Sequence, residues 1–262
     1  MRIKNIFLIV MIAVVAISCE ETVTDTELPY KEQLVVVGYL KDNKPFDSLL
    51  ITKTLNPLEE ATIEKAMVSN AEAEIIHNGE SYPLNFTGRF YENKNIIPKS
   101  GETYILKVRW KGHNLSAEAL VPYRPELVRM DTLIRESANK YNRKAVLYAY
   151  IKPGSAHSYN GYSLSYNINT YGIFKNSEIN EEELVKAVID IGYDYFGDNN
   201  FDLSEKYIIA GYSEGYYDYY KTRENGQSPE DIFSLSGQNI EWNVSGGLGL
   251  FVAVNDTIVQ WK

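Results

Sequence analysis

From residue 33 onward the apolar side chains fall mostly at every second position, and the runs are broken by dipeptides suited to tight hairpins. A period of two belongs to strands, whose successive residues point to opposite faces, and a sheet with one apolar face must bury it against another layer. Leu34-Val35-Val36-Val37-Gly38-Tyr39-Leu40 reads as a buried strand, residues 47–55 as a second, and Ala73-Glu74-Ile75-Ile76-His77 as a third. Asn78-Gly79 is a two-residue hairpin signal leading into residues 81–86, and Lys111-Gly112 turns a strand at 103–110 into another at 114–121.

Strands at this spacing predict an Ig-like or transthyretin-like sandwich over residues 33–122, with one short helix near 58–67. Pro122-Tyr123-Arg124-Pro125 ends the alternation and marks the best boundary in the chain. Beyond it, residues 126–136, 144–151 and 159–171 alternate as long strands. Residues 180–188 open with acids and space their apolar residues as a helix would, and a second helix is expected from 214 to about 223. Short strands at 233–235, 240–244 and 248–254 close the chain. The fold class is therefore mainly β: a sandwich, then a second β-rich region over 123–262 with one or two short helices. One shared β core with loop insertions is the simplest architecture.

With 26 Lys+Arg against 35 Asp+Glu, 44% apolar residues and one cysteine, the chain is neither disordered, collagen-like nor disulfide-framed. Its net charge of −9 argues against nucleic acid, which requires clustered cations to displace counterions. The densest cationic stretch, Lys107 to Lys111, is split by Val108 and Trp110. Charge-driven adhesion to anionic lipid is excluded on the same ground. Tyrosine is the outlier, 21 residues against 9 Phe and 3 Trp, and it suits strands and amphipathic contact surfaces.

Met1-Arg2-Ile3-Lys4-Asn5 is a short positive segment, and residues 6–17 form an apolar run too short to span a bilayer as a permanent helix. Residues 1–18 are read as a signal peptide. The run ends in Ala16-Ile17-Ser18-Cys19, which places the only thiol of the chain after small residues and resembles the lipobox of bacterial lipoproteins. That resemblance implies cleavage before Cys19, a diacylglyceryl group on its sulfur and an acyl group on its new amine. Several acyl chains, at ~0.8 kcal/mol per buried methylene, make such an anchor effectively permanent. Glu20-Glu21 resembles the acidic signal that sends lipoproteins of the Bacteroidota to the outer face of the outer membrane. Residues 19–32, polar with scattered Thr, Asp and Glu, read as a flexible tether.

Gly211-Tyr212-Ser213-Glu214-Gly215 matches G-x-S-x-G, with a strand expected before it and a helix after it. All three histidines, His77, His113 and His157, precede Ser213, contrary to the Ser, acid, His order of α/β-hydrolases. The structural expectation is a tight turn at Gly211, with the Ser213 hydroxyl capping the helix. Asp198, Asn200 and Asp202 open like an EF-hand loop, but Leu203 replaces the turn glycine and Ile209 stands where the bidentate Glu belongs, so they are weak calcium candidates. Zinc and phosphate-loop signatures are absent, and no cofactor is expected. Tyrosines concentrate between 193 and 220; Tyr193, Tyr195, Tyr216 and Tyr219 are candidate binding residues for a glycan, a peptide or a partner protein, with core packing as the alternative. Asp47-Ser48-Leu49, Asp131-Thr132-Leu133 and Asp256-Thr257-Ile258 resemble the Asp-Ser/Thr-aliphatic acceptor of Bacteroidota periplasmic O-glycosylation, making Ser48, Thr132 and Thr257 candidates.

Gly246-Gly247-Leu248-Gly249-Leu250-Phe251 is preceded by Asn239-Ile240 and Asn243-Val244-Ser245, and earlier segments include Gly101-Glu102-Thr103-Tyr104-Ile105-Leu106-Lys107-Val108 and Ala117-Glu118-Ala119 leading to Val121-Pro122. Together with residues 34–40 and 213–223, their order resembles a Bacteroidota outer-membrane lipoprotein family of unknown function, domain of unknown function 4249, with an N-terminal Ig-like sandwich. The chain departs from it around residues 225–233, where Gln227-Ser228-Pro229-Glu230-Asp231 replaces a Pro-Phe stretch. The resemblance implies an accessory protein of a TonB-dependent transporter, lipid-anchored at the cell surface, and transfers no catalytic residue, so no enzyme activity is expected. The glycines of the terminal motif are read as permitting bulges and close strand approach, with Phe251 packed. The alternatives are a fimbrillin-like pilus subunit, whose maturation after an Arg would fall no earlier than Arg89, and a hydrolase acting through Ser213.

Overall fold

A computed structural model describes residues 30–56, 58–135, 143–163, 173–175, 183–194, 206–224 and 240–260. The chain is mainly β, with two short helices. Its first half runs β1 (Leu34–Lys41), β2 (Phe46–Lys53), α1 (Ile63–Ala66), β3 (Glu72–His77), β4 (Glu80–Pro83), β5 (Asn85–Phe86), β6 (Tyr91–Asn93), β7 (Thr103–Trp110) and β8 (His113–Leu120). Both expected hairpins form. Asn78 and Gly79 have φ of 50° and 83°, Lys111 and Gly112 of 44° and 83°, and positive φ at both central residues gives the turn whose twist matches that of the strands it joins. In β7 the alternation is carried through: Tyr104, Leu106, Val108 and Trp110 are buried while Lys107 and Arg109 are exposed.

The second half runs β9 (Glu126–Arg135), β10 (Arg143–Lys152), β11 (Ser158–Ser163), β12 (Ile173–Lys175), β13 (Val185–Asp194), β14 (Lys206–Tyr212), α2 (Tyr216–Glu224), β15 (Val244–Ser245) and β16 (Leu248–Gln260). The helix expected at 180–188 is not formed. Val185 to Asp194 is instead a strand antiparallel to β10, Val185 opposite Ile151 and Ala187 opposite Ala149. Val185, Ala187, Ala149 and Ile151 are buried in one cluster, so sheet packing overrides a short helical spacing. The strand expected at 233–235 lies outside the described residues, as does 164–171. Of 240–244 only Val244 enters a strand, and the terminal strand runs on to Gln260.

Three sheets result. The largest has the order β12-β11-β14-β16-β1-β2-β6-β5, the second β15-β8-β7-β3-β4, the third β13-β10-β9. The eight-stranded sheet is continuous across the boundary expected at residue 122, because β16, from the end of the chain, lies parallel to β1 with Val35 opposite Leu248 and Lys41 opposite Val254. The first core lies between this sheet and the five-stranded one, joining Leu34, Val36, Leu49 and Ile51 to Ile75, Leu106, Val108 and Phe251. Each such side chain contributes about 1.5–3 kcal/mol on burial. A second core packs Leu147, Ile151 and Val185 against Tyr159, Tyr207 and Ile209. A third, on the opposite face of β14 and β16, gathers Ala210, Tyr212, Leu250 and Val252 under α2. Residues 250–253 thus alternate between two cores, which explains why this strand reads as an unbroken apolar run.

The terminal glycine motif is the crossing point between sheets. Val244 and Ser245 pair with Ala117 and Ser116 of β8, and three residues later the chain is in β16 beside β1. Gly246 turns with φ of 79°, where a Cβ would run into the Asn114 carbonyl oxygen, and at Gly249, with φ of 127°, it would run into that of Val36. Close backbone approach, rather than any chemistry, accounts for these glycines.

Candidate functional site

Tyrosine collects on the α2 side of the eight-stranded sheet. Gly215, with φ of 89°, makes the turn from β14 into α2, and a Cβ there would stand 2.5 Å from that of Asn243. Tyr219 N–H donates to the Gly215 carbonyl at 3.1 Å, and Thr222 Oγ1 donates to the Asp218 carbonyl at 2.7 Å while accepting from Glu241 N–H at 3.0 Å. The helix is thereby tied to the segment entering β15. Tyr216 stacks on Tyr212 with centroids 3.5 Å apart, Tyr220 lies 4.7 Å from Tyr216, and Tyr219 lies 5.1 Å from Tyr220 and 5.6 Å from Trp242. The Tyr216 hydroxyl is hydrogen-bonded to Tyr212 and Asn160, and that of Tyr39 to Tyr220. Burial, reinforced by the neighbouring phenols, pushes Tyr39 and Tyr216 well above the ordinary tyrosine range.

The four candidate binding tyrosines therefore part company. Tyr216 is 7% exposed and packs on the sheet, whereas Tyr219, like Tyr217 and Tyr220, is half-buried and keeps an accessible edge. Tyr193 is in β13 opposite Lys144. Tyr195 lies outside the described residues, as do Cys19, Asp198, Asn200 and Asp202. Sequence reasoning missed Tyr39 and Trp242 as members of the cluster; Tyr39 joins across some 180 residues through the sheet, and Trp242 joins from the segment before β15, packed on Tyr219.

Ser213 has another role than the helix cap expected of it. It lies three residues before α2, and its Oγ accepts from Ala253 N–H at 2.8 Å while its own N–H donates to Ala253 O at 2.9 Å. Gly211, expected to form the turn, is inside β14, where a Cβ would stand 2.9 Å from that of Ala156. Just beyond, the Asn243 amide donates to Phe251 O at 2.6 Å and accepts from Phe251 N–H at 2.9 Å. A hydroxyl and an amide thus replace the strand that β16 lacks where β14 turns away, satisfying buried backbone groups. Ser213 and His157 both line a cleft of about 640 Å³, together with Glu118, Ser155 and Glu214. The His157 Nε2 has no hydrogen-bond partner among the described residues, and the Ser213 Oγ is engaged by the Ala253 N–H. His77, stacked on Tyr104 at 4.3 Å, and His113, beside Trp110, are held elsewhere. No group of three His, Cys, Asp or Glu among the described residues could hold a metal ion.

Of the glycan candidates, Thr132 is exposed on β9, which among the described residues pairs with β10 alone, whereas Ser48 and Thr257 are half-buried, Thr257 where β16 pairs with β14.

The described residues form a β protein of three packed cores in which β16 pairs with β1 and an aromatic helix lies over the junction. The sequence matches the family described as Domain of unknown function (DUF4249) over residues 20–258, and the chain belongs to that family. No curated protein and no solved structure matches it.

Proposed function

We propose that this protein is a lipid-anchored surface protein of the outer membrane, a binding or accessory component of a TonB-dependent nutrient-uptake system. The observation that carries the anchoring is the place of the single cysteine, which closes an apolar run after Ser18, while the family match starts at residue 20, directly after it. No helix among the described residues is long and apolar enough to cross a membrane. Lipid at Cys19 and a polar tether up to β1 supply the attachment. The Bacteroidota origin and the Ig-like character of the first sandwich belong to the same reading; the two sheets packed face to face around the first core support the latter.

Contact with the transporter falls to the accessible edges of Tyr217, Tyr219 and Tyr220, with Trp242 beside them. Such rings bury much area at small rotamer cost and retain a polar tip. Maturation of a pilus subunit after Arg89 would cut between β5 and β6 and take β1 and β2 from the middle of the largest sheet, which weighs against that alternative.

The test is affinity purification of the full chain from its own membranes. A transporter should co-purify, and the Tyr219→Ala/Trp242→Ala double variant should capture severalfold less with little change in melting temperature, whereas Tyr216→Ala should lower the melting temperature. Purification without any transporter, or capture indifferent to the double variant, contradicts the proposal.

A further inference from the structure

We infer that the cleft between the β1–β2 turn and the Pro122–Pro125 segment is a binding site for an anionic sugar. It has a volume of about 450 Å³, and Lys41, Lys44 and Arg124 all line it. All three are exposed, and no carboxylate among the described residues lies within ion-pair distance of any of them. Against Asp42 and Asp256, which also line it, the three cations leave the cleft with a net charge of +1 in a chain of net charge −9. Like charges held together repel, and an anion between them relieves that repulsion.

The cations are presented by backbone that is already fixed. Lys44 N–H donates to the Lys41 carbonyl at 3.2 Å, closing the turn, while Asp42 N–H donates to Val254 O at 3.1 Å and Asn43 N–H to Pro98 O at 2.8 Å. The Asp42 carboxylate is occupied inside the wall: Oδ1 accepts from the Ser100 N–H and hydroxyl, both at 2.9 Å, and Oδ2 from the Asn43 amide at 2.7 Å. On the opposite wall, the Asn255 amide donates to Pro122 O at 3.0 Å and Tyr123 N–H donates to Ser155 Oγ at 2.7 Å, so the segment carrying Arg124 is pinned on both sides. A site whose walls are held in this way loses little freedom on binding.

The remaining lining selects the ligand. Tyr39, half-buried and held by the tyrosine cluster beneath, lines the cleft and offers apolar ring surface to a pyranose, with the buried Tyr212, stacked on Tyr216, backing it. Asp256, exposed at the rim, is a free acceptor for hydroxyls. Cations for a carboxylate, an acceptor for hydroxyls and aromatic surface for a ring together fit a uronic acid better than a bare anion or a neutral sugar. The site stands independently of the membrane anchor and of the transporter.

Titration calorimetry of the detergent-solubilised full chain with D-glucuronate tests it, with D-glucose and acetate as controls. Saturable glucuronate binding is expected, weakened by salt, with both controls about tenfold weaker or more. The Lys41→Gln/Lys44→Gln/Arg124→Gln variant should lose about tenfold or more at unchanged melting temperature, and the milder Lys44→Gln should lose severalfold if the triple variant does not fold. Absence of saturable glucuronate binding, equal binding of glucose or acetate, or binding indifferent to these substitutions would overturn the inference.

Discussion

Gly38 and Phe251 face each other across the parallel β1–β16 pair, and the missing side chain of one makes room for the ring of the other. A Cβ on Gly38 would stand 3.2 Å from the Phe251 ring and 2.8 Å from Leu49 Cδ1. Phe251 is fully buried and meets Phe46 edge-on, with centroids 6.4 Å apart and planes at 79°. The Gly38–Phe251 contact joins β1 to β16. Gly38→Val should destabilise the protein by about 1–3 kcal/mol through overpacking, and Phe251→Ala by about 3–5 kcal/mol through the cavity left behind. Denaturant midpoints for the two variants check both values.

Ser213→Ala removes the hydroxyl that, among the described residues, receives Ala253 N–H and leaves a buried donor without that acceptor. A loss of about 1–3 kcal/mol is expected, with transporter capture unchanged once the protein is folded. Stability like that of the parent would show that the Ala253 N–H finds another partner.

The tyrosines give the protein an alkaline limit. Burial pushes Tyr39 and Tyr216 above the ordinary value of about 10, and burial with the Glu102 hydrogen bond pushes Tyr104 up to about 12. Below the ordinary value these phenols are neutral in both states, and the full stability is present. Above it the unfolded chain releases protons that the native state retains, so stability falls as pH rises toward the folded values. Phenolate absorbance during an alkaline titration should show one group of tyrosines ionising near the ordinary value and another ionising only together with unfolding, monitored by near-ultraviolet circular dichroism.

If the periplasmic glycan is added to the folded chain, it should sit on Thr132. Accessibility on β9 favours this position over Ser48 and Thr257. Glycopeptide mapping of material from native membranes should find sugar mass on the Thr132 peptide, and Thr132→Ala should remove it.

Much of the first sandwich was legible because both hairpins are written in two-residue turns and the strands between them alternate cleanly, as in residues 103–110. The helix expected from 214 to about 223 forms at 216–224. Three things were not legible. Residues 180–188 carry a helical spacing over too few turns to outweigh the pairing of 185–194 with β10. The β1–β16 pair joins residues more than two hundred positions apart, for which a single sequence has no signal. Lys41, Lys44 and Arg124 form no run, and only the pinned turn and the Pro-flanked segment bring them to one cleft.

Mass spectrometry of the N-terminal peptide from protein purified out of its native membrane tests whether Cys19 carries the proposed anchor. The account predicts a peptide beginning at Cys19 that carries a diacylglyceryl group on sulfur and an acyl group on the amine. A peptide that begins elsewhere, or a Cys19 with a free thiol, would contradict it.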